Sequence, residues 1–264
     1  MLRTGIYVDG ENVRLNGGFG IRYDILCKYV KIEGDRILRA NIYLVEDEQA
    51  LKDDEDKRKK LYRYYGSLRR TGFKIIRKKV KIYTDPEGNE SRKANCDIEI
   101  AVDCLLQATN LDRVVLVTGD GDFIRLVTGL QNKGLRVDLI SFKSVSRELA
   151  RAVDHYNNGY LIPDLIPMNE EDKVLGVPSH DIDFFRSKHY GFLRFYRFDA
   201  ASDKLVTDSA FVHSSELDPT ITDEEFSDPS NIFSFEIAKN GGDFCHKDKI
   251  KGVHVNKWAS RLVI

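Results

Sequence analysis

The chain has 264 residues, 42% of them hydrophobic and 31% charged, with a formal net charge of −1. That length holds one large or two ordinary domains with proper cores, so neither disulfide nor metal staples are required. Cys27, Cys96, Cys104 and Cys245 lie far apart without ligand spacing, which argues against a zinc site or a disulfide scaffold and fits reduced thiols in a cytosolic protein.

Arg3 and the short run to Asp9 are too brief to read as a secretion signal, and no apolar stretch approaches the roughly 18 residues of a membrane span. Up to about residue 160 the pattern alternates. Gly5–Asp9 reads as a strand, Tyr23–Val30 as a helix, Ile37–Val45 as a strand, Lys57–Arg70 as a basic helix and Phe73–Tyr83 as a strand. Asp85-Pro-Glu-Gly88 signals a turn. Ala94–Gln107 and Asp122–Lys133 then read as helices, with Arg113–Thr118 as an apolar strand between them. Leu135–Ile140 follows as a strand and Ser146–Ala152 as a short helix. Such alternation predicts an α/β domain over 1–162, with a mostly parallel, Rossmann-like sheet between helices. Ligands of such sheets bind beyond the carboxyl ends of central strands.

Pro163, Pro167 and Pro178 punctuate an acidic stretch, so 163–180 reads as a linker. Beyond it, over 181–264, aromatic residues cluster and short strands with turns predict a small β-barrel.

The near-zero net charge hides an asymmetry. Residues 46–56 hold seven acids against one lysine, and residues 57–81 hold twelve lysines and arginines without an acid. A block of that kind makes a directional field suited to a polyanion. Its cations Lys57, Arg58, Lys60, Arg69, Arg70 and Lys78, together with Lys93 just before Asp97, are the candidate phosphate contacts; Tyr62 and Tyr65 have the spacing of residues that pack a helix onto a sheet.

Three places put carboxylates where the chain leaves a strand or enters a helix: Asp9, Asp97, and Asp120 with Asp122. Singly, each is ordinary turn or helix-capping chemistry. Together at one sheet edge they repel, by about 3 kcal/mol for a pair about 5 Å apart at an effective dielectric of about 20. The cluster then needs raised pKa values or a bound cation. Oxygen ligands without His or Cys select Mg²⁺ or Mn²⁺.

Ile6-Tyr7-Val8-Asp9-Gly10-Glu11-Asn12, Lys93-x-x-x-Asp97 with Asp103, and Thr118-Gly119-Asp120-Gly121-Asp122-Phe123 resemble, in that order, the NYN family of PIN-like ribonucleases, nearest its LabA-like branch. The resemblance covers about residues 3–160 and includes Gly134-x-x-Val137 and Ala152-x-Asp154. It implies a PIN-like fold in which Asp9, Asp97, Asp120 and Asp122 bind one or two divalent ions. Asn12 would position a metal water or a phosphate, and Asp103 and Asp154 would hold secondary positions. The implied chemistry is metal-dependent hydrolysis of single-stranded RNA, by water attacking in line with the departing oxygen, in a cytoplasmic protein that can pair as a homodimer. The alternative within the family is a non-catalytic RNA-binding or regulatory protein. A phosphatase reading from Gly119-Asp120-Gly121 requires a second Asp two residues after Asp9, where this chain has Glu11.

In the second region, Phe184-Phe185-Arg-Ser-Lys-His-Tyr190-Gly-Phe192-Leu193 and Ala210-Phe211-Val-His213-Ser-Ser-Glu-Leu217 resemble a cold-shock domain, a five-stranded OB barrel, with Ile232–Ile237 and Val253-His254-Val255 as last strands. The resemblance implies that Phe184, Tyr190, Phe192, Phe211 and His213 form a platform for unpaired bases, each stack worth about 1–3 kcal/mol.

Overall fold

Every position from Gly5 to Val8 and from Val114 to Val117 is apolar or small. A strand of that composition is stable only where both faces are covered. In the computed structural model, which describes residues 1–32, 34–47, 51–52, 54–84, 90–93, 95–167, 173–202, 204–240, 243–246 and 251–253, these are the two central strands of a six-stranded sheet. The strands are β1 (Arg3–Asp9), β2 (Arg36–Glu46), β3 (Lys74–Lys79), β6 (Arg113–Val117), β7 (Arg136–Ser141) and β8 (His155–Asn158), in the order β3-β2-β1-β6-β7-β8. All five pairings are parallel. Tyr7, Val114 and Leu116 point into one core with Ile100, Cys104 and Leu130, while Ile6, Val8, Val115 and Val117 point into the other with Leu26, Tyr65 and Leu68. Helices on both faces complete an α/β domain, as the alternation predicts.

Four expectations need correction. The strand read as Phe73–Tyr83 is two: β3 ends at Lys79, and β4 (Lys81–Thr84) leaves the sheet to pair with β5 (Glu90–Lys93) as a separate ribbon. The turn predicted at Asp85–Gly88 lies outside the described residues. β8, at the sheet edge, escaped the sequence because His155-Tyr-Asn-Asn158 is polar and short.

The segment read as a linker contains β9 (Lys173–Pro178). Flanking prolines and acids disguise a strand that sits between two partners, with Gly176 opposite both Phe195 and Phe233. Finally, Phe184 and Phe185 lie on a helix, Ile182–Lys188, rather than on a strand. Asp181 Oδ1 accepts the Phe184 N–H at 2.7 Å and starts that helix, and His189 in the left-handed conformation ends it.

The second sheet runs β13-β11-β10-β9-β12-β14, with β10 (Tyr190–Phe198), β11 (Leu205–His213), β12 (Ile232–Asn240), β13 (Asp243–His246) and β14 (Lys251–Val253). Its pairings are antiparallel except one parallel bridge, Phe211 to Cys245, and β13 also pairs with β12. Its core is Phe185, Leu193, Phe195, Val212, Phe226, Phe233 and Phe235.

Candidate metal centre

β1 and β6 are parallel neighbours, so their carboxyl ends open on the same edge. Asp9 closes β1 and caps the helix Gly10–Leu15, its Oδ1 accepting the Asn12 N–H at 3.1 Å. Asp120 follows β6 and caps the next turn, its Oδ1 accepting the Asp122 N–H at 3.0 Å. Thr118 ties the two together: its hydroxyl donates to Asp9 Oδ2 at 3.4 Å and accepts the Asp120 N–H at 3.2 Å. Asn12 is committed to the same frame, since its Oδ1 accepts the Gly119 N–H at 2.8 Å. Thr118 stands inside the quoted motif, yet composition and spacing do not show this bridging role.

The helix Asp97–Gln107 brings its first residue in from the side. Carboxylate oxygens of Asp97, Asp120 and Asp122 all lie within 4.8 Å of one another. Asp97 and Asp120 are half-buried, and Asp122 is exposed. Asp9, expected as a fourth ligand, is not in that group and is 7% exposed. Burial pushes the Asp9 carboxyl up to about 6; the Asn12 N–H opposes this, and the charges of Asp97 and Asp120 add to it. Asp97 is also raised, first by burial and then by Asp120 and Asp122.

These residues fit a hard divalent cation on chemical grounds. The donors are all oxygen, and burial, with the neighbouring charges adding to it, has already raised Asp9 and Asp97. Among the described residues no ion pair neutralises Asp97, Asp120 or Asp122. Lys78, whose charge reaches Asp97, is held by Glu99 at 2.8 Å.

Gly119 makes this geometry possible. A Cβ there would sit 1.9 Å from the Ser144 carbonyl oxygen, because the loop after β6 lies against segment 144–146, where the Ser146 N–H donates to the Gly119 oxygen at 2.8 Å. Gly119→Ala should therefore cost about 1–3 kcal/mol, read as a lowered urea midpoint. An unchanged midpoint would show that the loop is free to move.

The remaining candidates fall in different places. Asp103 accepts a hydrogen bond from Tyr43 Oη at 2.8 Å, along the helix that begins at Asp97. Asp154 accepts the Val137 N–H at 2.7 Å, a bond that fastens β7. Lys57, Arg58 and Lys60 lie at the start of the helix Glu55–Arg70, on the side of the carboxyl edge where β2 ends, and Lys57 pairs with Asp54 at 3.0 Å. Arg69 and Arg70 close that 16-residue helix, roughly 20 Å away at 1.5 Å per residue, beside the opposite edge where β3 begins. The sequence block is thus split between two ends of the domain. Lys93 is on β5, with its side chain outside the described residues.

On the second sheet Tyr190, Phe192 and Phe211 form one cluster, with ring centroids 5.2 to 5.9 Å apart. Phe184 joins it edge-on from its helix, 5.5 Å from Tyr190. His213 is exposed at the end of β11, opposite Tyr190, with its Nδ1 2.9 Å from Ser215 Oγ.

The sequence matches the family described as the NYN domain over residues 3–159, the span that carries every carboxylate of the site. The chain belongs to the NYN family, a PIN-like nuclease family. A curated relative, the low amplitude and bright protein LabA of Synechococcus elongatus, is 30% identical over 162 residues, which is 58% of this chain and 82% of the relative. A crystal structure of a protein of unknown function from Vibrio parahaemolyticus aligns with a TM-score of 0.46 and 24% identity, covering 59% of this chain and 91% of that one. The NYN match ends before β9, so the second sheet is an addition to the family domain. Among the described residues no helix is long and apolar enough to cross a membrane.

Proposed function

We propose that this NYN protein is a Mg²⁺- or Mn²⁺-dependent ribonuclease that hydrolyses phosphodiester bonds of single-stranded RNA. The observation that carries the reading is the carboxylate triad Asp97, Asp120 and Asp122, together with buried Asp9, at the carboxyl edge of the two central strands. Asp97, Asp120 and Asp122 would hold the cation, with the charge of Asp9 close to Asp97 and Asp120. When bound, such an ion lowers the pKa of a water and stabilises charge on the phosphoryl group. Asn12 and Thr118 keep the loops after β1 and β6 in register, so that the acids converge before substrate arrives. Lys57, Arg58 and Lys60 would attract the RNA backbone.

The second sheet is proposed as an OB-like, RNA-gripping barrel. What supports this is the pairing of β13 with both β12 and β11, and the aromatic cluster on adjacent strands β10 and β11. A cytoplasmic location and a homodimer accompany the proposal as expectations from the family resemblance.

The test is cleavage of a 5′-labelled single-stranded RNA in Mn²⁺. Wild type should cut, EDTA should stop it, and Asp120→Asn should slow it by about 10²-fold or more while leaving binding nearly intact. Binding without cleavage in the wild type would overturn the nuclease and favour the non-catalytic alternative.

A further inference from the structure

The carboxyl edge that holds the triad continues into a loop with an aromatic side chain in solvent. The helix Gly10–Leu15 starts at Asp9, runs about 9 Å at 1.5 Å per residue, and leads into Gly17-Gly18-Phe19-Gly20. Three hydrogen bonds fix that loop: the Gly18 N–H donates to the Val13 oxygen at 2.8 Å, the Lys143 N–H to the Asn16 oxygen at 2.9 Å, and Tyr160 Oη to the Gly17 oxygen at 3.0 Å. Gly17 is left-handed with φ +87°, and a Cβ at Gly18 would lie 2.5 Å from Val13 and 2.7 Å from Phe142. Gly18 and Ile21 are buried, whereas Phe19 between them is 79% exposed. A backbone held in this way cannot turn the ring inward.

One exposed phenyl is ordinary on a protein surface; the surroundings single this one out. Contacts run without a break from its loop to the triad. A Cβ at Gly17 would touch Lys143 Cβ at 3.4 Å, Ser144 beside it lies against Gly119, and Gly119 precedes Asp120. Lys143 thus stands between Phe19 and the carboxylates. It is exposed, and among the described residues no acid pairs with it. The acids of the neighbouring segments are engaged: Glu11 pairs with Arg14, and Glu148 accepts the Ser146 hydroxyl at 3.2 Å.

The edge therefore presents, in order, a divalent-cation site, one ammonium and one aromatic face. An alternation of anions with flat apolar faces is the repeat of single-stranded nucleic acid, and it matches that order. We propose that Phe19 stacks on the base of a nucleotide flanking the scissile phosphate, and that Lys143 pairs with a phosphate between that base and the triad. This rests on the RNA reading above. It adds a substrate-gripping subsite on the nuclease domain itself, apart from the basic block and from the second sheet.

The experiment compares full-length wild type and Phe19→Ala on 5′-labelled oligo(U) and on an abasic ribose-phosphate chain of equal length, by fluorescence anisotropy in EDTA. Phe19→Ala should weaken oligo(U) binding by about tenfold and leave binding to the abasic chain unchanged. In Mn²⁺ it should raise the KM for oligo(U) cleavage by a similar factor, with kcat within about twofold. Phe19→Trp should retain wild-type behaviour. Lys143→Met should weaken both chains alike and make the slope of log affinity against log salt shallower by about 0.7. The ring of Phe19 is in solvent, so the melting temperature of Phe19→Ala should not fall, which separates loss of the contact from loss of fold. Unchanged affinity and KM in Phe19→Ala, while wild type binds and cuts, overturn the subsite and leave the RNA reading standing; a changed sedimentation coefficient in that case assigns the ring to a protein contact. A loss that is equal on the abasic chain overturns the stacking. Failure of wild type to bind either chain overturns the subsite and the RNA reading together.

Discussion

Asp9→Asn is expected to stabilise the metal-free protein at pH 7 by about 1–3 kcal/mol and, in the same protein, to reduce Mn²⁺-dependent RNA cleavage by about 10³-fold. The two effects have one cause. Asp9 is 7% exposed, and burial, with help from Asp97 and Asp120, holds its carboxyl near 6 against an ordinary value of 3.8. The folded chain therefore binds this proton more tightly than the unfolded chain does. The group's favourable contribution is complete below about pH 4, declines as pH rises through about 6, and is gone above that, where an ionised carboxylate opposes folding. Asparagine removes the charge, and its Oδ1 still accepts the Asn12 N–H that Asp9 accepts at 3.1 Å.

Urea melts in EDTA at pH 4 and pH 7 check this: the variant should be the more stable at pH 7 and nearly equal at pH 4. Mn²⁺ at about 100 times its Kd should add about 2.7 kcal/mol to the wild type and much less to the variant. A variant less stable than wild type at pH 7 without metal would show that Asp9 is not strained by its neighbours. Stability sacrificed at a functional cluster is the general pattern of active sites.

The second large effect is expected at the opposite edge of the same sheet. Arg113 opens β6 and is 5% exposed. Its Nη1 lies 2.8 Å from Asp35 Oδ2, its Nε donates to Asp138 Oδ2 at 2.8 Å, and its Nη2 donates to Asp138 as well. Arg136 Nε holds the other Asp138 oxygen at 2.7 Å, and Thr4 Oγ1 donates to Asp35 at 3.1 Å. Arg113→Met keeps most of the side-chain volume but leaves Asp35 and Asp138 buried without their shared cation. Breaking one partner of such a network costs about 3–5 kcal/mol. At about 2–4 °C per kcal/mol for a chain of this size, the melting temperature should drop by roughly 6–20 °C. Adding Asp35→Asn should recover part of the loss, because the buried charge then goes with its partner. A drop under about 2 °C would mean that the remaining partners suffice. Nothing in this edge touches the carboxylate site, so residual folded variant should retain Mn²⁺-dependent cleavage.

Arg113 shows where sequence reading stops. It reads as the first residue of an apolar strand, and nothing nearby along the chain identifies its partners, which stand 78 and 25 residues away. The central strands were legible because burial on both faces leaves only apolar or small residues from Gly5 to Val8 and from Val114 to Val117, and that composition needs no tertiary information. The helix Tyr23–Val30 was legible to the residue from its periodicity. β8 and β9 were not, since a short polar edge strand and a strand bracketed by prolines carry no periodic signal. Phe184 and Phe185 read as part of an aromatic strand motif, because two adjacent aromatics show no helical period; the Asp181 cap decides for the helix.

The acids divide in the same way. That Asp9, Asp97, Asp120 and Asp122 are candidates follows from their motif, since each sits where a chain leaves a strand or enters a helix. Only folding determines that three of them share a few ångströms while Asp9 is buried outside that group, because burial and mutual charge are properties of distance in space. The basic block is the converse case. Its composition is evident along the chain, but a helix of 16 residues carries Arg69 and Arg70 to the far edge, so linear density of charge did not translate into one surface.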